Sequence, residues 1–161
     1  MNFINFIHSR MTFTKTDLNK TLYVKPAELE KSRKRYKVNA QGKTLGKLAV
    51  ICADLLMGKN NPSYSDFWDA GAFVIVENAD KINVTGKKLM QKMYYTYSGW
   101  KGNLKSKNLQ TMLQKKPTDP LWFAVRGMLP KNKLRDRRMK RLKLFTTSTD
   151  KYANLHPTII D

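Results

Sequence analysis

Gly42-Lys43-Thr44, set between a strand-like run and a helix-like one, is the first stretch that suggests a reactive or binding site. A phosphate loop ends this way, but the full pattern needs a second glycine five residues earlier, and that position is Lys37. The glycine-rich cradle of backbone N–H groups is absent, which argues against nucleotide hydrolysis. A helix N-terminus beside Lys43 still suits a single phosphate, one from RNA rather than from ATP. His8 and His156 lie at opposite ends of the chain and form no pair with metal-ligand spacing. Cys52 is the single cysteine, so there is no internal disulfide and no Cys-rich zinc cluster. It falls on the apolar side of a helical pattern and reads as a buried small hydrophobe rather than a nucleophile. Asp66 and Asp69 have no basic or histidine partner in a recognisable pattern and read as solvated loop acids. Gly71 and Gly86 look like turn glycines. No catalytic residue, cofactor site or metal site emerges, and the chain does not read as an enzyme.

Charge is more informative. Thirty-one Lys and Arg against twelve Asp and Glu give a formal charge of +19. The densest part runs from Arg126 to Lys143: Arg126, Lys131, Lys133, Arg135, Arg137, Arg138, Lys140, Arg141 and Lys143 face one acid, Asp136. A charge run is usually a solvated helix face that mixes signs. This one barely mixes, and its self-repulsion calls for a polyanion. Just before it, Asp119 to Leu129 is apolar and helix-patterned, with Asp119 as cap and Pro120 at the first helical position. A greasy helix that stops at Pro130 and hands over to a cationic run reads as an anchor and the arm it holds. Nucleic acid is the expected partner, with a membrane surface as the competing reading. No apolar run reaches membrane-spanning length.

The elements that must present these groups follow from periodicity. Tyr36, Val38 and Ala40 alternate as a strand. Leu45, Leu48, Ala49 and Cys52 mark a helix from about Thr44 to Met57, closed by Gly58. Ala72 to Val76 is an apolar run suited to a strand covered on both faces. Ile82 to Val84 and Met93 to Tyr97 are two further strand candidates, with a short helix at Lys87 to Lys92 between them. Ser106 is expected to cap a helix that Pro117 ends, before the Asp119 helix begins. Residues 1–34 read as a basic N-terminal extension, 35–145 as one α/β domain, and 146–161 as a C-terminal tail. Tyr94, Tyr95, Tyr97 and Trp100 lie among Lys92 and Lys101; core packing is the expected fate of most, with Trp100 the best base-stacking candidate.

Four segments, in order, resemble the large ribosomal subunit protein thirteen family in its bacterial or organellar form. They are residues 39–49 (NAQGKTLGKLA), 76–88 (VENADKINVTGKK), 92–99 (KMYYTYSG) and 125–134 (VRGMLPKNKL). Gly-Met-Leu-Pro followed by a basic run is the most specific element. The resemblance implies a three-layer α/β/α domain around a small, mainly parallel four-stranded sheet, with basic extensions. It also implies a non-enzymatic role: binding large-subunit rRNA early in subunit assembly and remaining as a structural constituent beside neighbouring large-subunit proteins. Two departures stand out. After Leu134 the family often has Gly-Arg where this chain has Arg135-Asp136-Arg137-Arg138, and the tail keeps only His156 and Pro157 of the family's usual pattern.

The RNA contacts so implied fall on Lys131, Lys133, Arg135, Arg137, Arg138, Lys140, Arg141 and Lys143. Arg126, Lys43, Lys47, Lys87, Lys88, Trp100 and Lys101 complete the candidate set. Neutralising about eight phosphates would give a slope of log K against log salt of about −6 to −7. An mRNA-binding translational regulator using the same basic surface outside the ribosome is the alternative reading. The first sixteen residues lack acids and contain His8, Arg10 and Lys15, which leaves a bacterial cytoplasm and an organelle matrix both open as the compartment of its ribosome.

Overall fold

Two parallel strands joined by a helix begin the domain. The computed structural model describes residues 26–62 and 64–160, so His8, Arg10, Lys15 and most of the expected extension lie outside the described residues. A short helix, α1 (Pro26–Lys31), precedes β1 (Arg35–Asn39), which pairs in parallel with β2 (Phe73–Glu77), Arg35 opposite Phe73 and Asn39 opposite Glu77. Parallel neighbours cannot be joined by a tight turn, and α2 (Leu45–Met57) makes the crossover. Its stripe of Leu48, Ala49, Cys52, Leu55 and Leu56 is buried in one cluster with Val38, Val74 and Val76 of the sheet. Leu121 and Val125 of α5 (Asp119–Met128) close that cluster from the other side of α2. Burying each of the larger side chains contributes about 1.5–3 kcal/mol. Ile75, pointing to the opposite face of β2, is buried too, so this strand is covered on both sides as its unbroken apolar run requires.

The α/β class with a four-stranded parallel sheet holds, but two of the expected strands are elsewhere. The sheet order is β5-β2-β1-β6, with β5 at Leu142–Leu144 and β6 at Thr158–Ile160. Residues 158–160, assigned above to a tail, are thus an edge strand beside β1. Both are three residues long, too short for alternation to show in sequence. Ile82 to Val84 is not a strand: Asn83 makes a single parallel bridge with Thr44, tying the loop to the entrance of α2 while Ile82 turns into the core. Met93–Tyr97 is β3, which pairs antiparallel with β4 (Leu104–Asn108) in a separate hairpin and never joins the central sheet. Ser106 lies inside β4 and caps nothing. Asn108 does so instead, its Oδ1 accepting from the Thr111 N–H at 2.9 Å at the head of α4 (Leu109–Lys115). The remaining helices are α3 (Lys88–Gln91) and α6 (Leu134–Lys140).

The cationic run is no arm. After Leu129 it turns into α6 and then β5, and Met139 and Leu142 join the core. Two of its arginines go in with them: Arg138 is 2% exposed and Arg141 6%. Their counterion is Asp69, which overturns the solvated-loop reading of that residue. Arg141 forks onto both carboxylate oxygens, with Nη2 2.6 Å from Oδ1, while its Nε donates to the Ala72 carbonyl at 3.2 Å and Nη2 to that of Leu56 at 3.1 Å. Arg138 Nε stands 3.6 Å from Oδ1, and Arg33, from the segment expected to be a loose extension, reaches Oδ2 at 3.8 Å. Asp66 keeps the loop role: it is exposed and accepts from the Tyr64 hydroxyl at 2.5 Å.

Burial by itself would raise the Asp69 carboxyl pKa. The hydrogen bonds and charge of Arg141, joined by Arg33 and Arg138, outweigh it and hold the group below the ordinary aspartate range. Glu77 repeats the device at the end of β2. Burial opposes its ionisation, but Lys37 Nζ at 2.9 Å, the Thr149 N–H at 2.8 Å and the Ser148 hydroxyl at 3.4 Å win, and its pKa is lowered. This fastens the chain between β5 and β6 to the sheet. Two glycines let the Asp69 loop lie against the end of α2. Gly58 adopts φ +82° as the helix ends, and a Cβ on Gly71 would sit 1.7 Å from the Leu56 carbonyl oxygen.

Two outcomes follow from this packing. Asp69→Asn leaves buried guanidinium groups without their counterion and should lower the unfolding free energy by about 3 kcal/mol in urea titration. Because the native carboxyl has the lower pKa, its stabilisation is complete above the unfolded aspartate value near 3.8 and is lost as pH falls through the native one. The variant's acid-unfolding curve should therefore be flatter below about pH 4. Gly71→Ala should cost about 3 kcal/mol, since backbone rather than a movable side chain blocks the new methyl.

Candidate nucleic-acid interface

The cations of the 126–143 run divide by the faces of α6 and β5. Arg138, Met139, Arg141 and Leu142 point inward. Lys131, Lys133, Arg137, Lys140 and Lys143 are exposed, the first two on the turn that follows Pro130. Arg135 is half-buried. Arg126 is half-buried as well, with its guanidinium 5.2 Å from the centre of the Trp122 ring. Of the eight cations from Lys131 to Lys143 expected to meet RNA, two are thus turned inward. Arg138 and Arg141 have no surface to offer a phosphate: both are buried, Arg141 hydrogen-bonded to Asp69 and Arg138 close beside its carboxylate. What remains is five solvated charges, with Arg135 half-buried among them, on a segment that the two buried arginines tie to the core.

A second cationic region lies at the start of α2. A groove of about 840 Å³ runs between Thr44–Lys47, the 83–85 loop, α3 and α5, and Lys47, Lys88 and Lys92 stand in its wall. The first turn of α2 carries no acid, so the positive end of the helix dipole is unopposed there. Lys87 is exposed at the neighbouring turn. Lys43 differs from the others: it is half-buried, and its ammonium is buried without a hydrogen-bond partner among the described residues. It also lies close enough to Cys52 to oppose, by its charge, the upward push of burial, yet the Cys52 thiol still reaches about 12. A thiol so placed is inert at neutral pH. The structure thus groups Lys47 with Lys88 along one groove and leaves the strip of α6 as a separate feature.

Trp100 and Lys101 are apart from both. They occupy the tip of the β3–β4 hairpin, both exposed, Trp100 to 77%. Core packing was the expected fate of the tyrosines beside them. It holds only for Tyr94, which is half-buried against Phe123 at 5.9 Å between ring centres. Tyr95 and Tyr97 are exposed. Sequence reasoning also missed Arg33, Asp69 and Glu77. The signal available was the scarcity of acids: with twelve against thirty-one cations, one that stands two residues before a glycine and just ahead of a buried apolar run is a prime candidate for an internal counterion. Among the described residues no group of three or more His, Cys, Asp or Glu converges on a metal position, and no helix is long and apolar enough to cross a membrane.

Comparison with known proteins meets this geometry. A family model described as ribosomal protein L13 matches residues 33–151, from the arginine that meets Asp69 to beyond β5. Large ribosomal subunit protein uL13 of Thermotoga maritima is 46% identical over 144 residues, covering 89% of this chain and 95% of its own length. The protein of that name from Clostridioides difficile is 44% identical over 142 residues, 88% and 98% of the two chains. That of Aquifex aeolicus reaches 51% over 126 residues, 78% and 86%. With most of its length matched on both measures, this chain belongs to the ribosomal protein L13 family.

Proposed function

We propose that the protein is a structural constituent of the large ribosomal subunit, binds large-subunit rRNA through two lysine-rich surfaces, and joins the particle during its early assembly. The relatives named above are large-subunit proteins, and the family is structural and non-enzymatic. The observation that carries the RNA reading is the division of charge on α6 and β5. Lys131, Lys133, Arg137, Lys140 and Lys143 remain solvated on a segment that Asp69 pins to the core. Folded A-form RNA hides its base edges in a deep groove, so a rigid row of cations recognises phosphate spacing and shape. Lys47, Lys88 and Lys92, with the α2 dipole behind them, extend the same chemistry to a second stretch of backbone. Neighbouring large-subunit proteins are the other partners of this reading, and the ribosome is where the protein resides.

Replacing Lys131, Lys133, Arg137, Lys140 and Lys143 together by Gln should leave thermal unfolding unchanged. It should reduce the salt slope of rRNA binding by about one unit per contact removed. In cells the variant should be displaced from the large subunit into the free fraction on sucrose gradients. Arg141→Gln should behave differently: the purified domain should be destabilised, whatever its RNA affinity. Equal salt slopes for wild type and the fivefold variant would remove the strip from the interface.

A further inference from the structure

The β3–β4 hairpin sorts its side chains in a way the basic strip does not. In an antiparallel pair, residues directly opposite each other point to the same face. Tyr95 faces Ser106 and Tyr97 faces Leu104, so one side carries Tyr95, Tyr97 and Leu104, with no charge in these pairs. Tyr94 faces Lys107 and Thr96 faces Lys105, so the lysines share the reverse side with the tyrosine that packs on Phe123. The uncharged side is open to solvent: Tyr95 is 66% exposed, Tyr97 60% and Leu104 60%. Trp100 stands exposed at the tip, where the Asn103 side chain donates to the Ser98 hydroxyl at 2.7 Å and the Asn103 N–H to the Trp100 carbonyl at 3.2 Å. The tip is therefore ordered by its own hydrogen bonds.

An exposed aromatic face of this size calls for an occupant, and the surrounding charge says which. Between Asp80 and Asp119 the chain has nine lysines and no acid. A protein partner would have to bring a strongly acidic surface to this hairpin, whereas RNA brings both its phosphates and flat rings. We infer that the Tyr95–Tyr97 face, with Trp100 at the tip, is a stacking platform for unpaired RNA bases, while Lys101 at the tip and Lys105 and Lys107 on the reverse side attract the phosphates. Two tyrosines alternating on one strand stand about 7 Å apart, enough for each to take a different base. This rests on the rRNA-binding reading and adds what that reading lacks, a contact made to bases rather than to phosphates.

The two contributions differ in salt dependence, which makes them separable. Stacking releases no counterions, so removing the rings should weaken binding without changing the slope of log K against log salt. The full-length protein and its Tyr95→Ala/Tyr97→Ala/Trp100→Ala variant are titrated with deproteinised large-subunit rRNA at several salt concentrations, after their melting curves are shown to coincide. The expected result is a loss of about tenfold per ring at every salt concentration with parallel slopes. Trp100→Phe, which keeps a ring, should retain most of the affinity. Equal affinity of variant and wild type overturns the inference, and so does a reduced slope, which would mean that the rings only position lysines. Normal rRNA binding by a variant that no longer joins neighbouring ribosomal proteins would also overturn it and give the face to a protein. Failure of the wild-type protein to bind rRNA would instead bring down the ribosomal reading itself.

Discussion

A chain with a formal charge of +19 can fold into a single domain only if the cations nearest its core are neutralised from within. Asp69 does this. Its carboxylate draws in Arg33 from ahead of β1, Arg138 from α6 and Arg141 from the approach to β5. Three parts of the chain far apart in sequence are thereby fixed at one end of the sheet, just ahead of β1, β2 and β5. Arginine suits the role because its planar fork serves several acceptors at once: Arg141 satisfies the carboxylate and two backbone carbonyls. A lysine ammonium there could not span that set. The cluster does not make the domain more stable than well-packed hydrophobic residues would. What it provides is register, since α6 and β5 cannot slide without stranding a buried charge.

From that constraint the interface follows. With Arg138, Met139, Arg141 and Leu142 turned inward, the period of the helix and the alternation of the strand turn Arg137, Lys140 and Lys143 toward water. The solvated row is mostly lysine and the buried pair is arginine. The less hydrated, better-forked cation lies in the core, and the strongly hydrated one faces solvent and its polyanion. Glu77 plays a smaller version of the Asp69 part, binding Lys37 and the Ser148–Thr149 turn so that β6 can return to the edge of the sheet. The hairpin stands outside this electrostatic frame. It packs by Tyr94 alone of its three tyrosines, leaving its opposite face free for contacts of another kind.

Much of the molecule was readable without coordinates wherever a single element carried its own signal. The α2 stripe, its glycine terminus, the buried run of β2 and the Pro120 helix start all come from periodicities and backbone restrictions confined to a few neighbouring residues. The net charge and its concentration after Pro130 pointed to a polyanionic partner for the same reason: charge adds up along the chain whatever the fold.

What needed the tertiary structure was every property that depends on pairing distant segments. No local pattern tells that Asp69 meets Arg141 rather than water, or which of two adjacent arginines, 137 or 138, is buried. The three-residue strands β5 and β6 exist only because β2 and β1 offer them open edges, and Met93–Tyr97 left the central sheet because its partner was the next strand in sequence. Alternation in MYYTY guaranteed two faces to that strand but could not say which would meet Phe123. Composition and periodicity determined which elements form and what kind of partner they attract. Only the closing of long-range contacts decided which charges stay free to meet it, because burial is a property of the assembled surface and not of any residue alone.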